Sequence, residues 1–399
     1  MASNAVVSSR RSFLQLSATA ATIAGVRMVT EPMLAHAARR QIAVDHKRAI
    51  LLDSNENPLG PSAAAREAIA AITPDGGRYR DDLSDDLIKL FAQQEGLKTD
   101  YIRLYAGSTE PLHYTVLAYT SPVRSYVTAD PGFEAGVFMS KVTGARIVAV
   151  PLTKASAHDV HAMLASAPDA GVIYICNPNN PTGTLTAHSE IEYAVERKPH
   201  RAVVLVDEAY LHFSDAPSSL DLVKADKDVI VLRTFSKLYG LAGIRCGFAI
   251  GRPDLLARLD NFGGNFMPIT AVVAATASLK DPQLIPERKR VNTAVRGETF
   301  QWLDRNGYSY IPSQSNCFMV DTKRPAKSVI EAMAQQNVMI GRVWPVMPNW
   351  TRITVGTQEE MAQFQVVFKS VMDGTVVVPR QDPGAHKPRR HIDGRIVPA

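Results

Sequence analysis

The sequence predicts an α/β fold: a large domain with a mostly parallel seven-stranded sheet between helices, followed by a smaller α+β domain. Three observations lead there. Short apolar runs, continuous rather than alternating, read as strands covered on both faces. Helical patterns separate them, and most runs end in Gly, Pro or Asn chemistry that breaks the chain. At 399 residues, 46% hydrophobic and 21% charged, the chain is an ordinary globular sequence long enough for two cores.

The seven strands are expected at 102–105, 126–128, 146–150, 172–176, 203–206, 228–232 and 246–250. Ahead of them, an Ala-rich helix covers 62–72 and ends at Gly76-Gly77. A second helix carries Leu83, Leu87, Leu90 and Phe91 on one stripe, with Asp81 and Asp82 as its caps. Further helices are expected at 133–142 and 269–284. Beyond them lie shorter strands at 308–311, 317–320, 338–340 and 351–354, and a closing helix at 357–372. The resulting division is a leader at 1–37, an arm at 38–60, a large domain at 61–280, a small domain at 281–372 and a disordered Pro-, Gly- and Arg-rich tail at 373–399.

The leader carries Ser9-Arg10-Arg11-Ser12-Phe13-Leu14, which resembles a Tat export signal, and Ala35-His36-Ala37 offers small residues for a signal peptidase. A disordered basic leader is the alternative. Arg27 and Glu31 interrupt the apolar stretch, so no stable membrane insertion is expected. The expected location is periplasmic or extracytoplasmic after passage through the Tat machinery, and cytoplasmic without it. The net charge is +5, and Arg10, Arg11 and Arg27 against Glu31 account for two of those charges in the leader. The remainder is too scattered for a nucleic-acid surface. Cys176, Cys246 and Cys317 lie in apolar runs without metal or redox spacing, so core packing is expected and no metal site.

The chemistry gathers where strands end. Residues 233–248 read Arg-Thr-Phe-Ser-Lys-Leu-Tyr-Gly-Leu-Ala-Gly-Ile-Arg-Cys-Gly-Phe, and the carboxyl end of a strand is where open α/β sheets bind ligands. Lys237 there is either a loop lysine in solvent or, beside Arg245 and partly desolvated, an amine with lowered pKa fit for nucleophilic chemistry. Thr234, Ser236 and Arg245 suit a phosphate, as do the amino-terminal N–H groups expected at Gly107-Ser108-Thr109, where Ser108 could equally be a helix cap. Asp207 ends a buried strand and needs either a cationic partner, such as a protonated pyridine nitrogen, or a capping role; Tyr210 follows it. The turn 177–183 brings Asn180 toward the same place, unless it is a structural corner only. Phe133 offers a ring face to stack or to bury. In 350–356, alternation puts Arg352 and Thr354 on one face and Ile353 and Val355 toward the core. Arg352 then serves carboxylate or phosphate capture or a surface ion pair, with Arg342 a second candidate clamp.

Taken in order, NENPLGP, GSTE, NPNNPTG, VDEAY, FSK…GIRCGF and RITVG resemble the class I and II aminotransferases, closest to the histidinol-phosphate aminotransferase branch, over roughly residues 53–371. The resemblance implies the fold-type I architecture, pyridoxal 5′-phosphate linked to Lys237 as catalytic residue, and a homodimer. It implies Asp207 on the pyridine nitrogen, Tyr210 and Asn180 on the ring oxygen, and Ser108, Thr109, Ser236 and Arg245 around the phosphate, with Thr234 a further candidate there and Phe133 in the place of a ring-stacking residue. Tyr79 is implied to reach the neighbouring subunit's cofactor phosphate. Arg352 is implied to hold the substrate's acidic group, and Arg342 and Asn57 are further candidates at the substrate. Three places depart from the pattern: Thr109 stands for Asp, Phe133 for a stacking Tyr, and Arg78-Tyr79-Arg80 for RYP. The expected activity is ping-pong amino transfer between an amino acid or amino phosphate and a 2-oxo acid. Alternatives are another reaction of the same cofactor (racemase, β-lyase or decarboxylase) or a non-catalytic periplasmic binding protein.

Overall fold

The structure, a computed structural model, describes residues 29–31, 33–35, 49–264 and 266–375. The twin-arginine segment and the tail beyond residue 375 lie outside the described residues. Twelve strands are β1 (Ile50–Leu52), β2 (Ile102–Tyr105), β3 (Ser125–Asp130), β4 (Ile147–Pro151), β5 (Ala170–Cys176), β6 (Val203–Asp207), β7 (Val229–Thr234), β8 (Gly247–Gly251), β9 (Tyr310–Ile311), β10 (Cys317–Asp321), β11 (Val338–Ile340) and β12 (Trp350–Thr354).

The central sheet has the order β2-β8-β7-β6-β5-β3-β4. Pairing is parallel except at β8, which runs antiparallel to both β7 and β2. This one reversed strand, not foreseen as such, decides where the site lies. The carboxyl ends of β2, β3, β5, β6 and β7 and the amino end of β8 all fall on one edge of the sheet. Every residue of β5, β6 and β7 is buried. Their side chains alternate between two cores, Ile173, Val204 and Val231 on one face and Val172, Leu205 and Ile230 on the other. Burying each such side chain stabilises the fold by roughly 1.5–3 kcal/mol, which explains why the runs are continuously apolar.

The helices differ from expectation in three places. Asp81 and Asp82 lie inside the first turn of Asp81–Glu95, where their charge meets the positive end of the helix dipole, and Arg80 occupies the cap position. The stretch expected at 269–284 ends at Lys280, and a separate 22-residue helix, Leu284–Arg305, comes next. Ala63–Ile72 packs on Ile269–Lys280, with Ser62 accepting from Ala65 N as a true cap.

The second lobe contains an antiparallel sheet, β12-β10-β9, and a parallel pair, β1-β11. Residues 50–52, expected as part of an extended arm, therefore join this lobe, with Ile50 and Leu52 in its core beside Ile340, Ile353 and Phe364. The chain then crosses from β1 to the large lobe through residues 53–61, a path that passes the sheet edge carrying the strand ends. All three cysteines are buried and unpaired, as packing residues. No helix among the described residues is long and apolar enough to cross a membrane.

Candidate active site

A cleft of about 610 Å³ opens at this edge, lined by Ser108, Thr109, Phe133, Asn180, Asp207, Tyr210, Thr234, Ser236, Lys237 and Arg245. Residues separated by up to 137 positions in the chain meet there because they lie at or near strand ends, with Arg245 just ahead of the reversed β8.

Lys237 lies just past β7, buried, with Nζ donating to the Ser54 carbonyl at 3.2 Å. Its pKa is lowered chiefly by burial and further by Arg352, while Glu31 and Glu56 oppose the shift. The helping cation is thus Arg352 of the second lobe rather than Arg245. Asp207 ends β6 with its carboxylate accepting from Tyr174 Oη at 2.9 Å and from Ala209 N at 3.1 Å. Burial pushes it up to about 6 despite those two bonds. A cation beside it would reverse the shift, so this donor set fits a protonated ring nitrogen better than it fits the bare protein.

Tyr210 Oη accepts from Asn55 Nδ2 at 3.0 Å and Asn180 Nδ2 at 3.4 Å, and burial raises its pKa. Phe133 is buried, packs with the Tyr174 core and still lines the cleft. Opposite it stands a cup of short side chains. Thr234 Oγ1 donates to Ser236 Oγ at 3.0 Å, and Arg245 Nη1 donates to Ser236 Oγ at 3.2 Å. Ser108 precedes the helix Thr109–Tyr119 without a side-chain cap bond, which leaves its hydroxyl for another acceptor. Gly107 has φ +96, and a Cβ there would run into the Arg245 guanidinium. Among the described residues no carboxylate lies within ion-pair distance of Arg245. A cation braced by glycine and flanked by hydroxyls and helix N–H groups fits a phosphate. The residues present therefore fit pyridoxal phosphate at both ends.

Arg352 is fully buried, so it is no surface ion pair. Its Nη1 donates to Asn180 Oδ1 at 2.8 Å and its Nη2 to the Asp53 carbonyl at 2.5 Å. Thr354, on the same face, bonds Asn55 through its hydroxyl, while Ile353 and Val355 enter the core as alternation required. Arg342 is buried beside it, paired with Glu134 at 2.7 Å and 4.6 Å from the centre of the Trp344 ring.

Two expected residues stand elsewhere. Asn57 does not line the cleft; its Nδ2 donates to the Leu238 carbonyl at 2.8 Å and its Oδ1 accepts from Leu59 N, so it braces the loop after Lys237. Asn55 takes the position toward Tyr210. Tyr79 is 73% exposed and stacks on Phe266 with ring centres 4.5 Å apart, outside the cleft.

Glu31 was not expected here. Its carboxylate bonds Arg352 Nη2 at 2.6 Å, Asn180 Nδ2 at 3.1 Å and Arg342 Nη2 at 3.3 Å. Burial alone would raise its pKa, but the two guanidiniums draw it down to about 2. Nothing in the sequence around Glu31 signals this contact, because it joins residues 321 positions apart.

Residues 47–366 match the family described as aminotransferase class I and II. A histidinol-phosphate aminotransferase of Symbiobacterium thermophilum is 35% identical over 336 residues, 81% of this chain and 90% of the relative. One of Moorella thermoacetica is 32% identical, covering 84% of this chain and 88% of the relative. The solved histidinol-phosphate aminotransferase of Sinorhizobium meliloti in complex with pyridoxal-5′-phosphate superposes with a TM-score of 0.77 at 25% identity, covering 89% of this chain and 97% of that one. By site, sheet and sequence alike, the chain belongs to the class I and II aminotransferases and is a pyridoxal-phosphate-dependent enzyme of the fold-type I architecture.

Proposed function

We propose that the chain moves an amino group between an amino acid or amino phosphate carrying an anionic group and a 2-oxo acid, with Lys237 as the proton carrier. The observation that carries this reading is the placement of a buried amine of lowered pKa in one cleft with a buried acid, with a fully buried arginine bonded to Asn180 of the cleft wall. Pyridoxal phosphate supplies an electrophilic carbonyl and an electron-withdrawing ring that makes the substrate's Cα–H acidic. Lys237, whose pKa burial lowers, would be placed to carry a proton to and from the substrate's Cα as general base and acid. Asp207 would hold the ring nitrogen's charge. Tyr210, with Asn55 and Asn180 beside its hydroxyl, would donate to the ring oxygen, and Phe133 would cover the ring face.

Ser108, Thr109, Thr234, Ser236 and Arg245 bind the phosphate. Arg352, with Arg342 beside it, holds the substrate's anionic group and so orients the Cα–H toward Lys237. The exposed Tyr79–Phe266 pair supports a homodimer in which Tyr79 reaches the neighbouring subunit's phosphate site. The leader supports export by the Tat machinery and an extracytoplasmic location. A spectral titration of the loaded enzyme with a panel of amino acids tests the function. Conversion of the cofactor to its amine form, reversed by a 2-oxo acid, is the expected outcome; no conversion with any member rejects amino transfer.

A further inference from the structure

The substrate's proposed anion subsite holds a carboxylate of the chain itself. Glu31 bridges the two buried guanidiniums, one oxygen on Arg352 and the other on Arg342 and Asn180. Thr30 and Glu31 line the cleft together with Lys237 and Asp207. The segment is held there by more than charge, since Ala35 is buried and Leu34 packs against the core that contains Phe133. Its residues 33–35 are helical, with Leu34 N donating to the Thr30 carbonyl at 3.2 Å.

We propose that Glu31 is a tethered occupant of the anion subsite formed by Arg352, Arg342 and Asn180, so that the uncut chain excludes acidic substrates and cleavage between Glu31 and β1 opens it. The inference rests on Arg352 as the ligand of the substrate's anionic group. The Glu31 contact is strong enough to block and poor enough to displace. Arg352 Nε has no acceptor among the described residues, so the pairing is not the bidentate fork that a free carboxylate would adopt. Covalent linkage adds to these contacts, because it gives a linked group an effective concentration on the order of millimolar. A cut after Ala37, the expected signal-peptidase position, removes Glu31 and spares β1, whose pairing with β11 anchors the segment beyond it. An export leader would then keep the enzyme closed to acidic amino acids until processing.

The test uses the full chain with a protease site inserted after Ala37, folded before it is cut. Binding of succinate to the cofactor-free protein is measured by calorimetry before and after cutting, and in uncut E31Q. Cutting is expected to tighten succinate at least tenfold, and E31Q to tighten it without a cut. Equal affinity for uncut, cut and E31Q proteins overturns the proposal. Should the cut chain lose its thermal transition, E31Q in the uncut chain decides alone, with wild-type affinity as the overturning result. Succinate needs no turnover, so absence of amino transfer in every form rejects the proposed function and leaves the occlusion to be judged by binding.

Discussion

Replacing Asp207 by Asn should stabilise the cofactor-free protein at neutral pH while weakening its hold on pyridoxal phosphate. Burial raises the carboxyl from 3.8 to about 6. At about 1.4 kcal/mol per pH unit, holding the charge above pH 6 costs the fold roughly 3 kcal/mol. The sign is opposite to that of an ordinary paired carboxylate. Between pH 3.8 and 6 the folded state binds the proton more tightly than the unfolded one, so stability falls as pH rises through that window. Asn carries no charge but leaves one of the two present donors, Tyr174 Oη or Ala209 N, without its anionic acceptor. That loss is about 1 kcal/mol. The net gain for D207N is therefore about 2 kcal/mol at pH 8 and about 0.5 kcal/mol at pH 5, where much of wild-type Asp207 is already protonated. Urea denaturation of the two cofactor-free proteins at both pH values measures it. Saturating pyridoxal phosphate should reverse the order, because only the carboxylate can pair with the ring cation. A variant less stable than wild type at pH 8, or a difference indifferent to pH, would refute the placement of an unpaired buried acid.

The same geometry sets other outcomes. Lys237→Ala should lower turnover by about 10²–10⁴-fold, the range of a lost general acid–base group, with the far-ultraviolet circular dichroism unchanged. Gly107→Ala should weaken cofactor affinity by about tenfold or more in an absorbance titration, since the methyl group displaces Arg245 and left-handed backbone at a non-glycine costs about 1–3 kcal/mol. Arg352→Lys in the processed chain should cut kcat/KM for acidic amino donors by about 10–100-fold through KM, while a small neutral donor such as alanine loses less. Tyr79→Phe should weaken cofactor binding by about tenfold although the residue lies outside the cleft of its own chain; unchanged affinity would remove it from the phosphate site.

The large lobe was legible because its information is local. A short, β-branched apolar run such as residues 203–206 reads as a strand covered twice, and the residues at its end are then placed at the ligand edge without any knowledge of partners. That is why Asp207, Tyr210, Asn180, Ser236 and Lys237 were found from strand ends alone. Direction was not legible: nothing in Gly247–Gly251 distinguishes a parallel strand from an antiparallel one, yet the reversal puts Arg245 at the cup. Choices between near neighbours were also hidden. Asn55 and Asn57 sit in the same short loop, and only the crossing of residues 53–61 between the lobes decides that Asn55 meets Tyr210 while Asn57 meets Leu238. Glu31 and Arg352 lie furthest from any local rule, since their pairing requires both lobes and the segment ahead of β1.

The electrostatics of the cleft give these pieces a common cause. Lys237 is pushed toward losing its proton and Asp207 toward keeping one, both mainly by burial. Burial favours the neutral form of each because the bare protein solvates the charged form poorly, and each has a counterpart of complementary chemistry on the cofactor or substrate. Binding then releases free energy that folding withheld, and a ligand at a hundred times its Kd adds about 2.7 kcal/mol of stability by mass action alone. Arg352 differs, because Glu31 already satisfies it and keeps it charged. Like Arg342, it already has a carboxylate partner from the chain itself. An acidic substrate must therefore displace that partner, whereas the ring nitrogen and the phosphate meet no such competitor among the described residues. The site is accordingly open to its cofactor before it is open to its substrate, an order that suits loading first and catalysis after cleavage.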